Sequence, residues 1–489
     1  MVADTSMPLH GPAPRAVAAA CLLLVLGVEL HQLSLLDTRR FSPDELQHVQ
    51  AGWVTHEGSM PYRDYFDPHM PLFRLALAPW FRLFDAGRSG DEAVAFLGFA
   101  RRAMWFVTAV ILALTFRLGC LWRGATVGWV ALVLLAFTSF FRDKTIEIRP
   151  DVPALACWLA CLVIALPALR PSVPHFRRRF FAAGFFFGLS LSFNLKMLLA
   201  LPAIGAVALP GARSAEERAA GLLAFAVGLS LPLLLLCAGF LAQGALDDLL
   251  HQTIYVSIFD WRHRFPLERV LGAFAHENPF IAPATAGGLV LAGYRVARRP
   301  APEESLLVAS ALVPVAALLV MPEPWPQYFL VFLPLLAILA AGLVVEVVAR
   351  LPPLALLALL VVIIAPSALP TPRARSRNVF QLREIRYVVE QTPAEATVLH
   401  GWGGGAPFRR PAYYVPFLSH GFSARLTPDD RAAMLRALES CRIEPDVVFF
   451  DRYVRSLSPE VEAYLEAHYQ PAGVGELWKR KSACDPRHP

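Results

Sequence analysis

Apolar runs long enough to cross a bilayer recur along most of this chain, and they constrain its fold more than any other feature. A helix needs about 20 apolar residues to cover the hydrocarbon core, and in lipid only helices or closed barrels satisfy every backbone group. Such runs lie near 16–36, 94–116, 124–141, 151–169, 181–195, 197–210, 221–243, 270–294, 305–321, 328–349 and 352–370. They predict about eleven spans, the fifth and sixth short enough to form one kinked or re-entrant hairpin. Composition agrees: 56% of the 489 residues are hydrophobic and 17% charged, against about 45–50% and about 25% in soluble domains. The first run reads as a retained span, because no small-residue cleavage site follows it before Asp37. The expectation is a mainly α, polytopic transmembrane part over 1–370 and a small extracytoplasmic α/β domain over 371–489.

Arginines in the short loops set the orientation. Arg117, Arg123, Arg170, Arg177, Arg178, Arg179, Arg213, Arg218, Arg295, Arg298, Arg299 and Arg350 all fall on one side if the N-terminus is cytoplasmic. The net charge of +6 is then a property of inner loops rather than a nucleic-acid footprint. The outer side receives the long loop 37–93, the loops 142–150 and 244–269, the turn 322–327 and the tail. This predicts a multi-pass protein of the inner (plasma) membrane whose functional face is periplasmic. In the tail, 396–402, 412–417 and 446–451 read as strands, and 427–440 and 458–469 as helices capped by Thr427 and Ser458. Cys441 and Cys484 are the tail's two cysteines, and the sequence leaves their pairing open.

The chemistry gathers in the outer segments. "RRFSPDELQHVQAGW" (39–53) sets Asp44 beside Glu45 just past the first span. Ser42-Pro43-Asp44-Glu45 fits a capping box, with Glu45 reaching back to the Ser42 amide. That occupies Glu45 and leaves Asp44 as a charged acceptor in the first turn, where the helix dipole stabilises a carboxylate. Asp44 is a candidate catalytic base, with Glu45 as its companion. Leu46, Val49 and Trp53 at helical spacing predict an amphipathic helix lying at the interface. "GSMPYRDYFDPHMPL" then packs Arg63, Asp64, Asp67 and His69 among aromatics and prolines, as either a site lining or a rigid connector.

In "RDKTIEIRPDVPAL", Arg149 and Asp151 meet where the fourth span begins. Pro150, Pro153 and an acid suit a helix start, which leaves Arg149 in need of a partner. "LSLSFNLKMLLALP" holds Lys196 between two apolar runs. A lysine there costs about 2.5–3.5 kcal/mol on insertion scales, which marks it as a functional candidate unless it snorkels. "LLHQTIYVSIFDWRHRFP" offers His251, Tyr255, Asp260, Arg262, His263 and Arg264, and "MPEPWPQYFLVFLPLLAIL" sets Tyr328 before Pro334. "HGWGGGAPF" (400–408) lacks GxGxxG spacing and reads as a loop, and no P-loop or Asp-x-Asp metal-nucleotide motif occurs. Those absences argue against a soluble nucleotide-sugar transferase and an ATP-driven pump.

An Asp-Glu pair just past the first span, followed by "PYRDYFDPHMPL", resembles the first outer loop of the C-type (GT-C) glycosyltransferases that use polyprenyl-phosphate sugars. The pattern is similar to the protein O-mannosyltransferase and aminoarabinose-transferase-like families, glycosyltransferase family 39 in type. Their loop usually ends in His-Pro-Pro-Leu or Lys-Pro-Pro-Leu, whereas this chain has His69-Met70-Pro71-Leu72. The resemblance implies that Asp44 is the base and that Asp151 is a second acid or substrate contact. Lys196 matches a phosphate-binding lysine, although its neighbours Asn194, Leu195 and Met197 depart from the families' Thr-Lys-Gly.

The implied activity is inverting transfer of a sugar from a polyprenyl-phosphate donor to an acceptor hydroxyl on a protein, lipid or glycan. Arg149, Arg63, Asp64, Asp67, His69 and Tyr328 complete the candidate substrate contacts. No nucleotide cofactor is required, and Asp44, Glu45, Asp67 and His69 leave room for a divalent metal. The rival reading, a transporter or flippase of lipid-linked saccharides, predicts acids inside the spans, whereas here they cluster in outer loops.

Overall fold

The computed structural model describes residues 12–170, 172–208, 214–257, 266–321, 324–349, 351–402, 404–418, 423 and 425–482. Asp260, Arg262, His263 and Arg264 lie outside the described residues. The membrane part is built from helices α1 (Pro12–Leu35), α2 (Pro43–His56), α3 (Leu72–Leu77), α4 (Gly90–Arg123), α5 (Ala125–Phe137), α6 (Ser139–Thr145), α7 (Asp151–Ala168), α8 (Phe176–Phe193) and α9 (Ala215–Ala242). Further helices follow at Leu267–Glu277, Ile281–Arg298, Pro302–Leu318, Leu333–Val347 and Pro353–Ile364.

Within the described residues, all eleven apolar runs fall on helical structure, but several are divided. Among the described residues four helices, α1, α4, α7 and α9, are long and apolar enough to cross a membrane unaided. The number reaches six if two bent pairs count as spans: α5 with α6, bent by 71°, and Leu267–Glu277 with Ile281–Arg298, bent by 109°. The bends satisfy each other. The Ser139 amide donates to Asn278 Oδ1 at 2.9 Å, and Asn278 Nδ2 donates to Ser139 Oγ at 2.8 Å. Freed backbone groups at membrane depth need such partners, and Asn278 is fully buried. The fifth and sixth runs are also distinct, since α8 gives way to a 3-10 segment, Leu195–Ala208, just before Lys196.

One expectation about α2 is overturned. This helix does not lie on the lipid interface, because every residue from Glu45 to Val54 is buried. The polar Gln47, His48 and Gln50 are covered along with the apolar stripe: the tail closes over Gln50, and His69 and Phe73 pack on His48.

The tail holds a five-stranded sheet of order β2-β1-β3-β5-β4, with β1 Thr397–His400, β2 Arg410–Pro411, β3 Val447–Phe449, β4 Tyr469–Pro471 and β5 Leu477–Arg480. β1 runs parallel to β2 and β3, whereas β5 is antiparallel to β3 and β4. Alternate residues serve opposite faces: Leu399, Val448 and Phe450 pack in one cluster, Val398, Val447 and Phe449 in another. The helices Pro428–Glu439 and Pro459–His468 stand where Thr427 and Ser458 cap them. The run 412–417 is not a strand; pairing stops at Pro411. Cys441 is disulfide-bonded, and Cys484 lies outside the described residues.

Candidate active site

The first turn of α2 is fixed by Glu45. The Ser42 amide donates to Glu45 Oε1 at 2.8 Å, as the capping box requires. Arg101 of α4 then grips both oxygens, with Nε at 2.9 Å from Oε2 and Nη2 at 2.7 Å from Oε1. Its remaining nitrogen donates to the carbonyls of Leu36 and Arg39, which ties the end of α1 to α2. The Ile148 amide donates a further hydrogen bond to Glu45 Oε2 at 3.2 Å. Glu45 is fully buried, so the structure places this carboxylate in the scaffold that aims Asp44, with its oxygens turned into protein.

Asp44 sits one position earlier and keeps 21% of its side chain exposed. It faces Arg149, whose Nη2 lies 3.7 Å from Asp44 Oδ2. Arg149 precedes Pro150, which disfavours a helical conformation there, so its side chain leaves the chain just before α7 begins. The other guanidinium nitrogens reach Asp151 Oδ2 at 2.8 Å and Glu147 Oε2 at 2.5 Å. Burial lowers the guanidinium's affinity for its proton, but Asp151, Glu147 and Asp44 outweigh that and keep it charged. Glu147 also binds Lys144 Nζ at 2.9 Å and approaches Arg39 Nη2 at 3.5 Å. Arg149 is therefore a hub among acids, and its Nη2 is the end nearest Asp44.

Asp151 joins this hub to Lys196. Asn194 Nδ2 donates to Asp151 Oδ1 at 2.9 Å, while Asn194 Oδ1 accepts from the Lys196 amide at 3.0 Å. The Lys196 ammonium lies 4.1 Å from the centre of the Tyr328 ring, a cation–π seat that holds it without neutralising it. Lys196, Tyr328, Asp151, Arg149 and Asp44 thus form one connected set, drawn from α2, the start of α7 and the segments that follow α8 and precede Leu333–Val347.

The loop between α2 and α3 supplies a second cluster. Asp67 accepts from His69 Nδ1 at 2.7 Å and from the His69 amide at 2.9 Å, and pairs with Arg74 Nη1 at 2.8 Å. Burial pushes the Asp67 carboxyl upward, but the Arg74 and His69 charges outweigh it and hold the group at about 2. His48, one turn beyond Asp44, lies edge-on to His69 with ring centres 4.8 Å apart. Burial depresses the His48 imidazole well below its usual range, and the neighbouring His69 adds to that. The same ring feels Arg149 and Asp151, so it stands between the two clusters.

Arg63 and Asp64 are elsewhere in character. They pair with each other at 3.0 Å on the surface, and Asp64 caps the turn by accepting from the Met60 amide at 2.6 Å. His251 and Tyr255 stack on one another. The sequence reading missed His48, Glu147, Lys144, Arg39 and Asn194. Only His48 carried a local signal, its four-residue spacing from Asp44. Among the described residues no group of three or more His, Cys, Asp and Glu side chains is arranged to hold a metal ion. Among the described residues, neither of two hollows is lined by Asp44 or Lys196: one lies in the tail beside Tyr387, Asp446 and Arg480, the other between α2 and the tail beside Gln47, Tyr65, Asp67 and Phe417.

No family model matches the sequence, and no curated protein sequence matches it. Solved structures do. The apo oligosaccharyltransferase of Archaeoglobus fulgidus superposes with a TM-score of 0.58 at 12% identity, over 88% of this chain and 69% of that one. The oligosaccharyltransferase AglB of Archaeoglobus fulgidus in complex with an inhibitory peptide and a dolichol-phosphate gives 0.56 at 11%, over 95% and 74%. Apo ArnT from Cupriavidus metallidurans gives 0.50 at 15%, over 88% and 81%. At such identities the shared property is architecture, and it agrees with the apolar helices and the tail sheet: this chain is a multi-pass membrane protein with the GT-C fold.

Proposed function

We propose that this protein transfers a sugar from a polyprenyl-phosphate-linked donor to an acceptor hydroxyl at the outer face of the membrane, with inversion at the anomeric carbon. The observation that carries the reading is the contrast inside the Arg149 network. Asp44 retains 21% exposure, whereas Asp151 and Glu147 retain 5% and 2%. One acid is left able to meet a substrate, and it stands in the same connected set as the Lys196 ammonium, which is seated on the Tyr328 ring.

Asp44 accepts the proton of the acceptor hydroxyl. The oxygen forms its bond to the anomeric carbon as the bond to the phosphate oxygen breaks, and the electron pair departs with the phosphate. That group is a weak base already, so it needs a cation more than a proton. Lys196 supplies the charge from its seat on Tyr328. Arg149, committed to Asp151 and Glu147, keeps Asp44 aimed beside it rather than carrying the phosphate alone. The donor class is supported by the fold, since one neighbour was solved with a dolichol-phosphate.

A flippase would need acids through the spans. α1 carries one, Glu29, buried beside Arg142, but the connected charges gather around Asp44, which favours chemistry over passage. Purified protein incubated with labelled polyprenyl-phosphate sugars tests the proposal. The expected result is release of polyprenyl phosphate with label moved to acceptor. Transfer from nucleotide sugars alone, or from no donor, overturns it.

A further inference from the structure

The Gly-rich stretch "HGWGGGAPF" has no part in the steps above, yet it meets the helix that carries Asp44. α2 is used on two sides. Asp44 and His48, one turn apart, look toward Arg149 and His69. Leu46, Gln50 and Trp53, at i, i+4 and i+7, form a second stripe, and the tail covers it. Gly404, at φ +71°, approaches so closely that a Cβ there would come within 2.8 Å of the Leu46 Cβ. Phe408 lies edge-on to Trp53 with ring centres 5.8 Å apart.

Between these apolar contacts sits a polar relay. Gln50 Nε2 donates to the Arg409 carbonyl at 3.1 Å, and Gln50 Oε1 lies 2.9 Å from His400 Nε2. Because the amide nitrogen already donates, the amide oxygen is the acceptor, and the network assigns His400 its Nε2–H tautomer. Gln50, His400 and Arg409 are 3%, 4% and 1% exposed. Arg409 is itself fixed: its guanidinium donates to the carbonyls of Gly87 at 2.8 Å and of Val389 and Thr392 at 2.9 Å. The carbonyl that meets Gln50 therefore has one location. For adhesion alone an apolar pair of the same shape serves as well. Directional bonds add register: rotation of α2 by one residue, about 100°, breaks both of them and turns Asp44 away from Arg149.

We infer that His400, acting through Gln50, is a positioning residue for Asp44, so that the tail is a working part of the active site and clamps α2 in rotation. The kinetic part of the test rests on the glycosyl-transfer reading; the exchange part does not. Full-length protein carrying His400→Leu, which removes the donor, is compared with His400→Gln, which restores an amide N–H near the same place. In His400→Leu, kcat falls by about tenfold or more, as expected for a misplaced catalytic group, with little change in donor KM. Hydrogen exchange at α2 amides quickens while α4 and α7 keep their protection. His400→Gln recovers most of the rate. The double variant His400→Leu/Gln50→Leu loses no more than Gln50→Leu alone, because Gln50 carries both bonds and His400 acts only through it.

A His400→Leu protein with wild-type kcat and wild-type α2 exchange overturns the clamp, as does a His400→Gln protein no better than His400→Leu. Losses that multiply in the double variant overturn it too. If His400→Leu does not fold, the double variant, which leaves no buried polar group of the pair unpaired, is measured in its place, and an unchanged kcat there sinks the proposal. If the wild-type protein moves no sugar from any donor, the functional reading fails, and α2 exchange alone decides the clamp.

Discussion

Asp44 and Asp67 stand in outer-loop clusters, an arginine facing each acid, and they end with opposite characters. Asp67 is 3% exposed and saturated: Arg74 at 2.8 Å, His69 Nδ1 at 2.7 Å and the His69 amide at 2.9 Å take its oxygens. Asp44 is 21% exposed and meets Arg149 only at 3.7 Å. The difference lies in how many acceptor positions the fold leaves open. A carboxylate whose positions are filled is a strut, whereas one held near a cation with oxygens to spare is a reagent.

The sharpest way to break this contrast is to neutralise both acids in turn. Asp44→Asn is expected to lower transfer by up to about 10⁴-fold, the upper range for a general base, with an unchanged melting temperature. Asp67→Asn should do the reverse in kind, destabilising first. An Asp44→Asn protein with appreciable turnover removes the base assignment.

Next in size is the hub. Arg149→Met leaves Asp44, Glu147 and Asp151 facing each other without their shared cation. Breaking a buried pair in this way costs about 3–5 kcal/mol, and the loss is read in thermal unfolding of the detergent-solubilised protein. Stability within experimental error of wild type would mean that the network is not buried as described.

Asp67 also predicts a pH dependence. Its folded carboxyl is held at about 2 against an ordinary value of 3.8. A depressed acid stabilises the fold at pH above its unfolded value, so the contribution is complete above about pH 5 and fades as pH falls toward 2. It amounts to about 2 kcal/mol. Comparing melting temperatures at pH 6 and pH 3 in wild type and Asp67→Asn checks it: the variant should lose less on acidification.

How much of this was legible follows from the range of each contact. The cap on α2 was readable, because Ser42, Pro43 and Glu45 act within one turn. The need of Arg149 for a partner was readable too, since an arginine beside a span cannot stay bare. Its partner Glu147 lay two residues away but carried no periodic signal. Arg101 on Glu45, 56 residues apart, and Asn194 on Asp151, 43 apart, exist only once helices pack. The burial of Gln47, His48 and Gln50 was hidden for the same reason: their polarity fits a solvated face until the tail covers Gln50 and the loop after α2 covers His48. The bends at Thr138 and Asn278 were invisible because each is stabilised by the other. In the tail, β4 and β5 have three and four residues, too short for alternation to register.

Lys196 carries a smaller expected effect than either acid. Its ammonium is seated on Tyr328 and already feels Asp151, so part of its charge is spent within the protein. Lys196→Ala is expected to raise the donor KM by about tenfold, the equivalent of about 1.4 kcal/mol, with the acceptor KM unmoved. Equal changes in both would count against a phosphate contact.

The smallest effect belongs to Arg63 and Asp64, which the sequence offered as either site lining or rigid connector. Arg63 and Asp64 retain 53% and 41% exposure, and an exposed ion pair is worth about 0–1 kcal/mol once solvent screens it. Asp64 does more for the turn than for the pair, because it accepts the Met60 amide beside Tyr62, whose φ of 72° is costly for a side chain. Arg63→Ala should therefore leave melting temperature and transfer within about twofold of wild type, and Asp64→Asn should cost slightly more stability than Arg63→Ala. A large loss of donor use in Arg63→Ala would show that a substrate recruits this exposed arginine, and would extend the reagent side of the contrast into the loop that otherwise serves as its strut.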